Sequence, residues 1–141
     1  MDANRPQDSR LDEDRKLIVS TLPDPTGHPA WDDIEALLAK ATTGGVEPYD
    51  SAVDVVWIAY DHVIWGAATT RLKADETEAE LLCVAGKRFR EWIGPMEAEM
   101  CAWARLCGAK RMTSRGRRGW GRFARHMGWD ASETQTFTKE L

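Results

Sequence analysis

The stretch LLCVAGKRFREWIGPMEAEMCAWARLCGAKRMTS, residues 81–114, decides the predicted fold. Its first six residues are apolar, as in a central strand that is covered on both faces. Residues 94–110 carry a proline and two acidic residues at their start and a glycine near their end, which predicts a helix from Pro95 closed by Gly108. Residues 110–114 predict a second strand. The three elements together predict a right-handed crossover between parallel strands.

Residues 53–72, which precede this unit, predict a β-hairpin. Two runs rich in Val, Ile, Trp and Thr are separated by the polar pair Asp61–His62, which suits a short turn. The fold class expected is a mixed α/β sheet in one domain, 17–141, after an acidic and polar tail at 1–16. The further elements predicted are a strand at 17–22, a helix between Pro29 and Gly44, a short helix at 119–128 and a final strand at 132–141.

Composition limits the classes of protein that fit. A chain of 141 residues is long enough for one domain with a core. It contains no apolar run of about 18 residues, so no membrane span is expected. The start lacks the pattern of a secretion signal, which predicts a protein made in the cytoplasm. The three cysteines fit neither a zinc site nor an even disulfide set, so we expect reduced thiols and no metal.

Charge is distributed unevenly along the chain. Residues 1–56 have a net charge of −7, residues 57–109 of −2, and residues 110–141 of +5. Between Lys110 and Arg125 there are seven positive residues and no acid. An acidic protein with one basic segment is a poor general coat for nucleic acid, because its remaining surface repels a polyanion. The pattern favours an acidic protein partner or a small anion.

The order of elements resembles the GNAT acyltransferase fold. The residues that carry the resemblance are the hairpin at 53–72, the strand LLCVAG, the helix at 95–107, the strand KRMTS, and GRFARHMGWD with its Phe123 and Gly128–Trp129. CAWAR, GRRGW and the terminal KEL are also similar to segments of GNAT-like proteins encoded by tailed phages. The likeness covers residues 28–141.

The GNAT resemblance implies an acetyl-CoA site beside the central strand. In that family the pyrophosphate lies against backbone N–H groups at the start of the following helix, where unpaired amides favour an anion. Here main-chain groups of the strand end would orient the thioester, and nearby basic residues would contact the phosphates. The candidates for cofactor binding are Val84, Ala85, Gly86, Lys87, Arg88, Arg90, Arg115, Arg117 and Arg118.

Two departures from the family pattern count against that chemistry. The family loop, Arg/Gln-x-x-Gly-x-Gly/Ala, is replaced by GKRFREWIGPM, in which bulky residues stand where small ones are expected. Pro95 would remove a backbone donor from the cradle. Ala124 stands where many members place a proton-donating tyrosine. Catalytic residues are therefore left unknown; Asp61, His62, Glu78 and Glu80 are interpreted as solvated surface groups.

The prediction that follows is a GNAT-like interaction or structural module, a phage virion or assembly component, with no cofactor expected. The acidic first third of one copy, or a protein partner, would meet the basic 110–125 segment. The candidate partner-binding residues are Arg117, Arg118, Arg122 and Arg125, with Trp92 and Trp120 as anchors if exposed. One alternative is an acetyl-CoA-dependent N-acetyltransferase. A second is nucleic-acid binding through residues 110–125.

Overall fold

The computed structural model describes residues 17–41, 50–73, 77–115, 127–131 and 136–141, with backbone alone at positions 41, 115, 131 and 136. The predicted tail at 1–16 lies outside the described residues. So does the predicted short helix up to residue 126, together with Arg117, Arg118, Trp120, Arg122 and Arg125. Predictions that rest on those residues stay predictions.

One mixed sheet organises the chain, as predicted. Its seven strands stand in the order β1-β2-β3-β4-β5-β7-β6. The strands β1 to β4 pair antiparallel in sequence, β4 and β5 pair parallel, and β7 lies between β5 and β6. The strands are β1 (Ile18–Thr21), β2 (Asp54–Tyr60), β3 (Ile64–Leu72), β4 (Glu78–Gly86), β5 (Arg111–Arg115), β6 (Asp130–Ala131) and β7 (Thr136–Glu140).

In the described part of the chain, two α-helices cover the sheet: α1 (Trp31–Ala41), which follows a short 3-10 turn at Pro25–Gly27, and α2 (Phe89–Leu106). The helix α2 connects β4 to β5 and confirms the predicted crossover. The helix is also closed by Gly108, as predicted. Gly108 takes a left-handed φ of 90°. Its N–H donates to the carbonyl of Arg105, and the next N–H, of Ala109, donates to Ala104. This pair of bonds is a Schellman motif.

The predicted start of α2 is wrong. The helix begins at Phe89, six residues before the expected Pro95, and the proline lies inside it. The reason is burial. Trp92 and Ile93 extend the buried stripe of the helix by one turn towards its N-terminus. A proline at the seventh position removes the amide that would bond to the carbonyl of residue 91. The core contact formed by the first turn outweighs that loss.

Each face of the sheet carries its own core. On the α1 face, Ile34 and Leu38 pack on Val56, Ile58, Ala67 and Cys83. The α2 face holds the larger cluster, which contains three tryptophans and three methionines: Trp57, Trp92, Trp129, Met96, Met100 and Met112. The sheet is therefore covered on both sides, which explains the apolar run at residues 81–86 of β4.

Gly66 on β3 lies directly beneath the indole of Trp92. A Cβ built at Gly66 would stand 2.2 Å from the Trp92 ring, so a side chain there cannot coexist with the indole. The Trp92 Nε1–H donates to the carbonyl of Lys87 at 2.7 Å. The first turn of α2 is thus fixed to the sheet and to the end of the preceding turn.

Substitution Gly66→Ala should therefore destabilise the fold by about 1–3 kcal/mol, the usual cost of overpacking. In a Trp92→Leu background the added methyl has room, so its cost should largely disappear. Urea unfolding of the two single variants and the double variant measures the coupling. An equal cost of Gly66→Ala in both backgrounds would contradict the contact.

The thiols allow a second test. Cys83 and Cys101 are buried, and Cys107 is half-buried. Burial, together with the neighbouring carboxyl of Glu97, raises the pKa of Cys101 to about 12. Only the thiolate attacks a disulfide reagent. At about pH 8, Ellman's reagent should modify Cys107 in the folded protein and the other two thiols only on unfolding. Cys107→Ser should remove the fast reaction, whereas Cys83→Ser should leave it.

Candidate functional site

The strand β4 extends beyond its partner β5. The last parallel pair is Leu81 with Ser114. From there β4 continues for five residues to Gly86, and no described strand forms a ladder with Val84–Gly86 on that side. A stretch of strand without a ladder partner presents main-chain donors and acceptors that a bound molecule can use.

Main-chain alternation shows which groups face this free edge. The Lys87 N–H donates to the carbonyl of Trp65 on β3 at 2.8 Å. Successive residues of a strand direct their N–H and C=O groups to opposite sides. Val84, three residues earlier, therefore directs its N–H and C=O away from β3, towards the side that β5 leaves open.

The start of α2 lies at the end of the same edge. Only Lys87 and Arg88 separate β4 from the helix. Arg88 occupies the N-cap position with a left-handed backbone, φ 59° and ψ 33°, and its side chain makes no capping hydrogen bond. The Glu91 N–H donates to the Arg88 carbonyl at 2.9 Å, and the positive end of the helix dipole lies at this turn. The turn therefore places an anion-attracting helix start beside the free edge of β4.

The Arg88 guanidinium is engaged within the chain. It donates two hydrogen bonds to the Glu91 carboxylate, at 2.6 and 2.7 Å. It also stacks over the Trp65 ring, 4.8 Å from the centroid. The bond with Glu91 raises the pKa of Arg88 and lowers the pKa of Glu91. Lys87 and Arg90, on either side, are exposed.

The predicted cofactor residues divide into three groups. Val84, Ala85, Gly86, Lys87, Arg88 and Arg90 come together at the end of β4 and the start of α2. Arg115 ends β5, and its side chain is not described. Arg117 and Arg118 lie outside the described residues.

Pro95 and the bulky loop residues, which counted against an acetyl-CoA site in the sequence, lie elsewhere than predicted. Pro95 is the seventh residue of α2, so it removes no amide from the helix start. The bulky residues are also not in the way. Trp92 and Ile93 are buried in the core beneath the helix, and Phe89 packs edge-on against the Trp92 ring at 5.2 Å. The sequence prediction places the helix start at Pro95, six residues too late. It therefore compares the family loop with residues that belong to the helix.

The same burial corrects a partner prediction. Trp92 has no exposed surface. It cannot anchor a protein partner, because its indole is buried in contacts with Gly66 and Lys87.

The polar residues interpreted as solvated surface groups differ in their surroundings. The Asp61 carboxylate accepts bonds from the Val63 N–H and from the Trp65 Nε1–H, both at 3.0 Å. These bonds, that of Val63 first, lower the pKa of Asp61, so it stays charged. The side chain of His62 is 87% exposed. Glu78 pairs with Lys73 at 3.0 Å.

A cleft of about 830 Å³ on the α1 face was not predicted. Its walls come from β1, the segment before α1, α1 itself, and the hairpin turn, and they include His28, Tyr60 and Lys87. These residues are far apart in sequence and form no motif, so only the fold reveals the cleft. Among the described residues, no cluster of three metal-ligating side chains occurs and no helix is long and apolar enough to cross a membrane.

Solved structures with the same architecture identify the fold. A GNAT family acetyltransferase from Elizabethkingia anophelis with acetyl-CoA bound superposes with a TM-score of 0.69, at 15% identity over 89% of this chain and 99% of that one. Tetrahymena GCN5 gives 0.68 at 8% identity, over 89% and 96%. A Bacillus subtilis acetyltransferase in complex with CoA gives 0.62 at 13%, over 89% and 99%.

The chain has the GNAT fold. At these identities the likeness establishes the architecture alone. Searches with protein-family models and against curated protein sequences found no match.

The Asp61 contacts predict a measurable pKa change. Trp65→Phe removes one N–H donor to the charged carboxylate, so the pKa of Asp61 should rise from its depressed value towards 3.8. A depressed pKa stabilises the fold above the unfolded value, and this contribution is lost as pH falls through the folded value. Carbon NMR titration of the carboxyl measures the shift. Trp103→Phe, on α2, is the control and should leave the pKa unchanged.

Proposed function

We propose that this chain is an acyl-CoA N-acyltransferase that uses acetyl-CoA. The observation that carries the proposal is the free end of β4, which leads through two residues into an α-helix start without a side-chain cap. A strand edge with open main-chain groups suits an extended, amide-containing chain. A helix start suits a pyrophosphate. The free strand edge is followed directly by the helix start. An extended acetyl-CoA arm can therefore lie along the edge while its pyrophosphate lies at the helix start.

The residues present fit the cofactor. The main-chain groups of Val84 face the free edge and can bond to the extended arm near its thioester. The amides of the first turn of α2, with the exposed Lys87 and Arg90, can hold the phosphates by dipole and charge. When bound, acetyl-CoA supplies an acetyl group activated as a thioester. The chain then positions that group for attack by an amine.

No described side chain is assigned to proton transfer. Asp61 is held charged by its turn, and Glu78 is paired with Lys73. Ala124, at the position of the family tyrosine, lies outside the described residues. In this proposal solvent water protonates the departing thiolate, and the chain contributes orientation and charge.

The structural neighbours support the acetyltransferase hypothesis over the interaction module. Two of those described above were solved with acetyl-CoA or CoA bound. The interaction-module hypothesis rested on the altered loop, the missing tyrosine, the opposed charges of the two ends and the N-terminal tail; of these, only the loop has changed in meaning, because its residues form the start of α2. Assembly through the basic 110–125 segment, a phage origin and nucleic-acid binding stay predictions.

Calorimetric titration of the full chain with acetyl-CoA tests the proposal. We expect a dissociation constant of about 10 μM or tighter, and similar binding of CoA. Arg90→Ala should weaken binding about fivefold by removing an exposed charge near the phosphates.

Arg105→Ala is the matched control, since it removes the same charge from the exposed last turn of the same helix. Its affinity for acetyl-CoA should equal that of the unaltered chain. Absence of heat at about 1 mM ligand would exclude the cofactor and return the interaction module to first place. Equal losses in both variants would show that binding follows net charge and does not occur at the helix start.

A further inference from the structure

The cleft on the α1 face is separate from the free edge of β4. Its walls contain no residue of β4. On this face the side chains of Ile34 and Leu38 pack over Ala67 and Cys83, so the buried layer of α1 stands between the cleft and the central strand. The cleft is therefore a candidate site for a different ligand. Lys87, which directly follows β4, is the residue that the cleft shares with the proposed acetyl-CoA site.

The size and the walls of the cleft suit a small organic molecule. A volume of about 830 Å³ lies within the range of ligand pockets, which are mainly apolar with few polar groups. Leu22, Leu37, Ile58 and Ile64 form an apolar wall. Such a wall favours an aliphatic or aromatic body.

The hydrogen-bond donors of the cleft are available to a ligand. The N–H of Ala30 donates to Nδ1 of His28 at 3.0 Å, so the neutral imidazole carries its proton on Nε2. Within the described part of the chain, that Nε2, the Tyr60 hydroxyl and the Lys87 ammonium have no protein partner. All three groups can donate, and one is a full positive charge.

Of the two acidic groups of the cleft, Asp61 is engaged within the chain and Asp33 lies at the start of α1. Asp61 accepts bonds from Val63 and Trp65, and Arg88 lies 3.8 Å from its second oxygen. Asp33 stands in the first turn of α1, where the helix dipole attracts its charge. The donors therefore outnumber the open acceptors, and the walls favour a negatively charged ligand over a positively charged one.

We propose that this cleft binds a small carboxylic acid with an apolar body. The carboxylate lies among Lys87, His28 and Tyr60, and the body lies against the leucine and isoleucine wall. The inference does not rest on the proposed acetyltransferase function, although Lys87 lies at both sites. It adds a second ligand, on the opposite side of the α1 layer from the free edge.

Three probes of equal length test the charge preference: octanoate, octanamide and octylamine, each titrated into the full chain by calorimetry. Octanoate should bind at least about tenfold more tightly than either of the others. Tightest binding of octylamine would overturn the proposal, as would the absence of octanoate binding at about 5 mM.

Two matched substitutions on α1 test the location. Ala36 lines the cleft, whereas Ala39 is exposed on the same helix away from it. Ala36→Trp should fill the cleft and weaken octanoate at least about tenfold, and Ala39→Trp should change it less than about twofold. Equal effects of the two variants would place the binding elsewhere and overturn the proposal.

Tyr60→Phe keeps the location testable should Ala36→Trp fail to fold. It removes one donor and leaves the shape unchanged, so octanoate should weaken while octanamide stays nearly constant. An unchanged octanoate affinity would contradict the assigned donors. Acetyl-CoA binding should be the same in Ala36→Trp and Ala39→Trp, which separates this test from that of the proposed function.

Discussion

The contact between Trp92 and Gly66 determines where the site lies. The indole fills the space above a residue that has no Cβ, and its N–H reaches the Lys87 carbonyl. These contacts require the first turn of α2 to lie on the sheet directly after β4. The turn between them then has only two residues, and Arg88 takes a left-handed backbone to close it. The bonds of Arg88 with Glu91 and its stacking on Trp65 support that conformation.

The position of the helix start explains the proposed chemistry without a glycine-rich loop. A loop of glycines brings backbone amides close to phosphates because it has no side chains. Here Trp92 and Ile93 are buried beneath the helix, whereas Arg90 and Glu91 are exposed at its start. The same turn links the two proposed sites, because the Trp65 carbonyl accepts from Lys87 and the Trp65 indole bonds to Asp61 in the hairpin.

Much of the fold could be predicted from local sequence patterns. The hairpin, the apolar β4, the crossover and the glycine that closes α2 each depend on neighbouring residues. The start of α2 could not be found by a rule that places proline in the first turn, because the burial of Trp92 and Ile93 outweighs that rule. Strand β6 has two residues, too few for a periodic pattern. The cleft joins His28, Tyr60 and Lys87, which only the sheet brings together.

The central claim is that acetyl-CoA binds along the free edge of β4 and at the start of α2. Backbone amide NMR of the full chain during titration with acetyl-CoA tests it most directly. We expect the largest shifts at Val84–Gly86 and at Phe89–Trp92, with the last turn of α2 and the wall of the α1 cleft unchanged. Saturable binding whose shifts lie elsewhere, or no shift at these amides, would contradict the account.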